Sequence, residues 1–533
     1  MAFFFFPTLY TLLATLHLAF FPTDLSELMK EFALEEEEEE EFATESRIAS
    51  HTYITKDHVL DYDSVVGHLP ILDDQEKPIA NLFYVAYFAK EDEERPITFF
   101  FPGGPGGSCG AEIVASVGPR RMQTSAEGKK ILPPYQLIDN PQSLLPWTDL
   151  VFVDPPGTGY SKWAKSKLQA HHERQFFQTE KDLEALGEFV ERFIQTYRKW
   201  NSPKYLAGIS YGASRCCGLT EELLQRDISL HGIILLSPAI DYLTLISQHN
   251  LPLAHSFLLP TYAATAWYHG RLCPDLPLEK ILDHAKNFCY QQYLPLMLRP
   301  SRLDSKELIR FYTHLSQLIG LSPETVMRYG GKFEEELYTK EFFGAERKVL
   351  GGLDTRYASD ISPYSSLRYE KDPSYYDTQG LLLTLKSYLE EELEFELPQA
   401  PYISYQSSCW NFQTYDSIAW PEFLQRVERS LIYNPQMKIF TGCGYFDCRT
   451  PFMAVEYSFD HLHPLYKNQL EFAYYEGGHG FIFDYPCLQK LQEDLIRFYE
   501  LPRQKAISHL QPCVPKKRKI TQSIEEENLD LAE

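Results

Sequence analysis

The chain has 533 residues, with 50 Lys and Arg against 74 Asp and Glu, and so a formal net charge of −24. A surface of that sign repels phosphates and excludes a nucleic-acid partner held by charge neutralisation, while 44% hydrophobic residues exclude disorder over most of the length. The length allows roughly two to four domains, or one domain interrupted by a large insertion. The 10 cysteines are scattered, with Cys216 and Cys217 adjacent, and lack the paired spacing of zinc ligands or of a disulfide scaffold. Neither a metal nor a cofactor is expected.

Residues 2–22 form an apolar stretch with no Lys or Arg before Lys30 and no clear small-residue cleavage site. Export to the periplasm or medium, or tethering to a membrane through these residues, is the expected localisation, against a cytoplasmic chain whose first segment packs on its body. Glu35 to Glu41 then read as a solvated linker, because like charges repel. Residues 1–45 are therefore set apart from the body.

Extended stretches around residues 51–72 and 82–88 lead to Ile97-Thr98-Phe99-Phe100-Phe101, an apolar run that stops at Pro102-Gly103-Gly104-Pro105-Gly106-Gly107. Such a run suits a strand covered on both faces. Leu150 to Val153 repeat the pattern before Asp154-Pro155-Pro156-Gly157. Leu183, Leu186, Val190, Phe193 and Tyr197 recur at helical spacing, so a helix is predicted over about 178–199. Tyr205 to Ala207, Ile233 to Leu236, Met437 to Phe440 and Phe472 to Tyr475 read as further strands, and Leu488, Leu491, Leu495 and Ile496 mark a last helix. Strand and helix in alternation predict an α/β fold with a mostly parallel sheet covered on both sides. The core is expected in two parts, 46–245 and 431–505, split by a mainly helical cap over 246–430. Residues 506–533, with Lys516, Lys517, Arg518 and Lys519, read as a charged tail.

The chemistry centres on Gly208-Ile209-Ser210-Tyr211-Gly212, between a short strand and a helix. A serine so flanked fits a nucleophile elbow, where a tight turn leaves no room for side chains beside the nucleophile. Ser210 needs a base oriented by a carboxylate, and in this fold the order is Ser, Asp, His. Asp447 and His479 each follow a strand, in Gly444-Tyr445-Phe446-Asp447 and Glu476-Gly477-Gly478-His479, on the sheet edge that carries Ser210. His461 and His463 have no such setting. An oxyanion hole is expected from the amides of Tyr211 and Gly104. Cys216 and Cys217 fall on the helix after the elbow and are expected to pack beneath the site, with a redox switch as the alternative.

These motifs make the chain resemble the serine carboxypeptidase family of α/β-hydrolases, especially its bacterial branch. The resemblance rests on GGPGGS (103–108), GPRR (118–121), NPQSLLPWTDLVFVDPPGTGYSK (140–162), SPKYLAGISYG (202–212), NPQMKIFTGCGYFDCRTPF (434–452) and YYEGGHG (474–480). It implies Ser210 as nucleophile, Asp447 as orienter, His479 as base, a cap over the site and removal of residues from peptide carboxyl ends. Family members bind the substrate carboxylate through an Asn before the glycine pair, a Glu before the nucleophile and often a second Glu. Here those positions hold Pro102, Ile209 and Ser116.

Pro102 has no side-chain donor and Ile209 cannot bond a carboxylate, so of the substrate-facing positions Gly103, Ser116 and Ile209 only Ser116 keeps a polar side chain. Arg120, Arg121 or a residue near Arg449 is a candidate replacement. The substrate is expected to be a peptide or a small ester or amide. A proline-iminopeptidase-type aminopeptidase, a cap-covered esterase and a non-catalytic binding protein are the competing readings. With Ile209 in place of a paired carboxyl, the rate is expected to follow titration of His479 and level off above neutrality.

Overall fold

The computed structural model describes residues 46–73, 75–90, 94–124, 132–163, 176–246, 251–299, 304–361, 372–374, 380–405, 410–412 and 421–500. The apolar and acidic segments expected over 1–45, and the charged tail expected from 506 onward, lie outside them.

A ten-stranded sheet organises the molecule. In chain order its main strands are β1 (Arg47–Ile54), β2 (Val59–Leu72), β3 (Pro78–Ala89), β4 (Ile97–Phe101), β5 (Asp149–Val153), β6 (Lys204–Ile209), β7 (Gly232–Leu236), β8 (Lys438–Gly444) and β9 (Leu470–Tyr475). They lie side by side as β1-β2-β3-β5-β4-β6-β7-β8-β9, and a two-residue piece, Lys162–Trp163, also pairs with β3. β1 to β3 form an antiparallel meander that joins β5 antiparallel, whereas every pairing from β5 to β9 is parallel. This is the α/β-hydrolase arrangement, with β4 and β5 exchanged relative to their order in the chain.

Every residue of β4, β5, β6 and β7 is buried, as continuous apolar runs require when both faces are covered. Phe99 and Phe101 of β4 enter one core and Phe100 the other, because successive side chains point to opposite faces. Three helices of the core matter here: α1 (Gly110–Ala115), α2 (Thr179–Thr196) and α3 (Tyr211–Gln225). The first face is covered by α2, through Leu183, Leu186, Val190 and Phe193, and by α3, through Leu219 and Leu223. Ile113 and Val114 of α1 pack on the opposite face. Cys216 and Cys217 of α3 are fully buried in the first core, and burial pushes both thiols up from their ordinary range.

Between β7 and β8 the described chain forms, among other helices, α4 (Leu259–Tyr268), α5 (Leu278–Phe288) and α6 (Ser305–Ile319). They share a separate core of Phe257, Tyr262, Phe288, Leu315 and Ile319 that reaches Cys448 and Met453, next to Asp447. The interval also contains a feature that its helical pattern did not foreshadow, an antiparallel hairpin of Lys348–Leu350 and Ala358–Asp360. After β8 come α7 (Phe452–Asp460) and, beyond β9, α8 (Tyr485–Glu500), whose Leu488, Leu491 and Leu495 join α1 on the second face.

Candidate active site

Parallel register brings the carboxyl ends of the central strands level: Gly208 lies opposite Leu235, Leu235 opposite Thr441, and Gly444 opposite Tyr475. The loops leaving these strands therefore converge on one edge. Ser210 occupies the turn between β6 and α3 at φ 58° and ψ −121°, a region costly for a residue with a side chain. The flanking glycines make that turn possible. A methyl group on Gly208 would stand 2.2 Å from the Gly212 carbonyl oxygen, and one on Gly212 would stand 2.2 Å from the carbonyl oxygen of Phe101. Gly103 is equally constrained, since a methyl there would meet Cβ of Ser210 at 2.9 Å.

His479 Nδ1 lies 2.8 Å from Asp447 Oδ2. Asp447 is fully buried and also accepts from the amides of Arg449 (2.7 Å) and Thr450 (3.0 Å) and from the Thr450 hydroxyl (2.6 Å). Burial alone would raise this carboxyl, but the His479 charge and hydrogen bond, with those from Thr450, hold it below its ordinary value. The Ser237 hydroxyl donates to the His479 carbonyl at 2.8 Å and fixes the histidine backbone. Ser210 and His479 line the same cleft, of about 1490 Å³. No hydrogen bond joins the Ser210 hydroxyl to the imidazole; in such sites that contact commonly tightens only when substrate is bound. Among the described residues, the amides of Gly104 and Tyr211 have no acceptor, and both residues line the cleft.

The hairpin of the insertion carries a loop, residues 351–357, that is wedged between the acid and base loops. Thr355 donates its amide to the Phe446 carbonyl (3.1 Å), and Gly352 accepts from the amide of Cys448 (3.2 Å). On the other side Leu353 accepts from the His479 amide (2.6 Å) and Asp354 Oδ2 from the Gly478 amide (3.0 Å). Arg356 ties the arrangement together, donating to Asp354, to Asp484 (2.7 Å) and to the Glu476 carbonyl (2.6 Å). Nothing in the sequence marked this loop. Thr450 and Ser237 were also missed; the only signal for Thr450 was its place three residues after Asp447.

The substrate-facing positions fare differently. Gly103 and Ile209 line the cleft. Ser116 does not: it is fully buried and its hydroxyl donates to the Glu112 carbonyl at 2.6 Å, one helical turn back. Glu112 itself lines the cleft, and its Oε2 is buried with no hydrogen-bond partner among the described residues. Burial, with a smaller push from Asp154, raises the Glu112 carboxyl to about 8. Arg120 is engaged by Glu392 (2.8 Å) and Asp139 (3.0 Å), and Arg449 by Glu335 (3.0 Å). His461 and His463 lie beyond the end of α7 and bond locally, to the Tyr457 carbonyl and the Leu465 amide.

Residues 56–306 match the family described as serine carboxypeptidase. Among curated proteins the chain is 28% identical over 234 residues to serine carboxypeptidase-like 1 of Arabidopsis thaliana, an alignment that covers 39% of this chain and 50% of the relative. It is 30% identical over 174 residues to the pheromone-processing carboxypeptidase KEX1 of Coprinopsis cinerea, covering 31% of this chain and 26% of the relative. The chain thus spans half or less of the length of these relatives. Among solved structures, a prohormone-processing carboxypeptidase KEX1 from Saccharomyces cerevisiae aligns over 82% of this chain and 91% of its own, with TM-score 0.48 and 16% identity. The family match and the curated relatives support the family and give no support to the bacterial branch. The matched region contains Ser210 and stops short of Asp447 and His479.

Proposed function

From the premise that the chain belongs, over residues 56–306, to the serine carboxypeptidase family, we propose that it is a serine-type exopeptidase that hydrolyses peptides through an acyl-enzyme. One observation carries this reading: the 2.8 Å contact between buried Asp447 and His479, which lines the same cleft as strained Ser210. In this mechanism His479 takes the proton of Ser210 as the hydroxyl attacks the peptide carbonyl, with Asp447 fixing the tautomer and stabilising the imidazolium. The amides of Gly104 and Tyr211 hold the oxyanion, His479 protonates the leaving amine, and water repeats the sequence on the acyl-enzyme.

The test is mass spectrometry of one peptide in three forms, free at both ends, C-terminally amidated and N-terminally acetylated. Loss of C-terminal residues from the free and acetylated forms alone is expected. Loss of N-terminal residues, blocked by acetylation, would instead make it an aminopeptidase. If no form is cut and Ser210 resists a fluorophosphonate label, the hydrolase reading is wrong.

The loop between the acid and base loops gives a second, milder prediction. Arg356→Ala removes the bridge from Asp354 to Asp484 and the Glu476 carbonyl, so His479 is held less firmly. A fall in kcat of about 10-fold with KM nearly unchanged is expected from steady-state kinetics, because misplacing a catalytic group costs rate rather than binding. A rise in KM alone would make Arg356 a substrate contact.

A further inference from the structure

The cleft contains a guanidinium that the proposed mechanism leaves without a task. Arg121 sits on a short strand, Arg120–Met122, paired with Leu137–Asp139. Adjacent side chains on a strand point to opposite sides, so while Arg120 turns out to Glu392 and Asp139, Arg121 turns in and lines the cleft with Ser210 and His479. It is 5% exposed. Its Nη2 donates to the Thr124 hydroxyl (2.7 Å), its Nε makes a long contact to the Met122 carbonyl (3.4 Å), and its plane lies 4.5 Å from the Tyr485 ring centre. No carboxylate pairs with it among the described residues, whereas Arg356 and Arg449, the other arginines of the cleft, are both paired.

A buried guanidinium without a counter-ion is costly, and burial indeed lowers its affinity for its proton. A ligand anion relieves that cost. Glu112, the other buried group of this cleft without a partner for one of its oxygens, sets the sign of that ligand. Held protonated at neutral pH by burial, it is a hydrogen-bond donor and offers no negative charge to an ammonium group. A guanidinium in a cleft whose buried acid offers no negative charge suits a planar carboxylate.

We propose that Arg121, on the cleft lining that also carries Glu112, is the anchor for the free C-terminal carboxylate of the peptide substrate, in place of the side chains missing at Pro102 and Ile209. This assignment rests on the hydrolase reading above and adds its direction: residues leave from the carboxyl end. Thr124 is a positioning residue, whose hydroxyl aims the guanidinium.

The test is the ratio of kcat/KM for an N-acetylated peptide with a free C-terminus to that for its C-terminal amide, measured at pH 6.5. The wild type is expected to prefer the free acid by on the order of 100-fold, since truncating one partner of a buried charge pair commonly costs that much or more. Arg121→Met brings the ratio towards 1, mainly through KM for the free acid. Arg121→Lys and Thr124→Val give intermediate ratios, and these decide the matter if Arg121→Met does not fold by circular dichroism. A wild type that cuts acid and amide equally, or folded Arg121 and Thr124 variants with the wild-type ratio, would overturn the assignment and leave the hydrolase standing. A wild type that cuts neither peptide and resists the fluorophosphonate would overturn both.

Discussion

Replacing Ser210 with alanine is expected to lower kcat by about 10⁶-fold, and Asp447→Asn by about 10⁴-fold, in assays on an N-acetylated peptide. The difference between the two values is informative. Alanine at 210 removes the atom that attacks, so only binding and the oxyanion amides remain to act on a bound water. Asparagine at 447 keeps the shape and most of the hydrogen bonds, but its amide can present an N–H to His479 Nδ1 and trap the wrong tautomer. The surroundings of Asp447 favour a clean measurement, because its oxygens also accept from the amides of Arg449 and Thr450 and from the Thr450 hydroxyl. The effects should not add: the double variant Ser210→Ala/Asp447→Asn should be no slower than Ser210→Ala alone, since the two residues act as a unit. An Asp447→Asn chain with undiminished kcat would mean that another group orients His479. Full activity in Ser210→Ala would remove the nucleophile from the scheme.

Sequence reading reached the parts of this site that are local. The elbow was visible because steric need writes itself into neighbouring positions: Gly208 and Gly212 are glycines since backbone oxygens approach within 2.2 Å of where a side chain would begin. The buried strands were visible because both of their faces are apolar, which leaves an unbroken run. Asp447 and His479 followed from chain order and from their places after β8 and β9. What stayed hidden depends on phase and register. Ser116 follows Glu112 by four residues just past the end of α1, and the linear sequence does not say which of them meets the cleft; Glu112 lines it, while the Ser116 hydroxyl turns back to the Glu112 carbonyl. Arg120 and Arg121 are likewise indistinguishable until the strand pairing assigns one to each side. The loop at 351–357 was invisible for a different reason, since it acts through backbone amides and carbonyls bonded to chain about 100 residues or more away.

The Glu112 carboxyl makes the stability of the molecule depend on pH, and in the direction opposite to most carboxylates. Its ordinary value is 4.5 and its folded value about 8, so between these limits the folded chain keeps a proton that the unfolded chain has lost. Stability then falls as pH rises, is fully present below about 4.5, and is lost by the time pH passes about 8. At ~1.4 kcal/mol per unit, the part of this loss that falls between pH 5 and pH 9 is on the order of 4 kcal/mol. Glu112→Gln keeps the size and the donor but cannot ionise, so the variant should gain on the wild type by that amount between pH 5 and pH 9 when their denaturant midpoints are compared side by side. Asp154, buried and raised to about 6, slopes in the same sense in both chains and largely cancels from the difference. The same ionisation bears on catalysis. Once Glu112 becomes an anion it repels the carboxylate that Arg121 attracts, so KM for a free-acid peptide should climb above pH 8 while KM for the amide does not. That gives kcat/KM for the free acid a falling limb above pH 8, and the limb should be absent in Glu112→Gln. Parallel pH profiles of stability in the two chains would show Glu112 to be solvated and ionised, and would remove it as the cause of that limb.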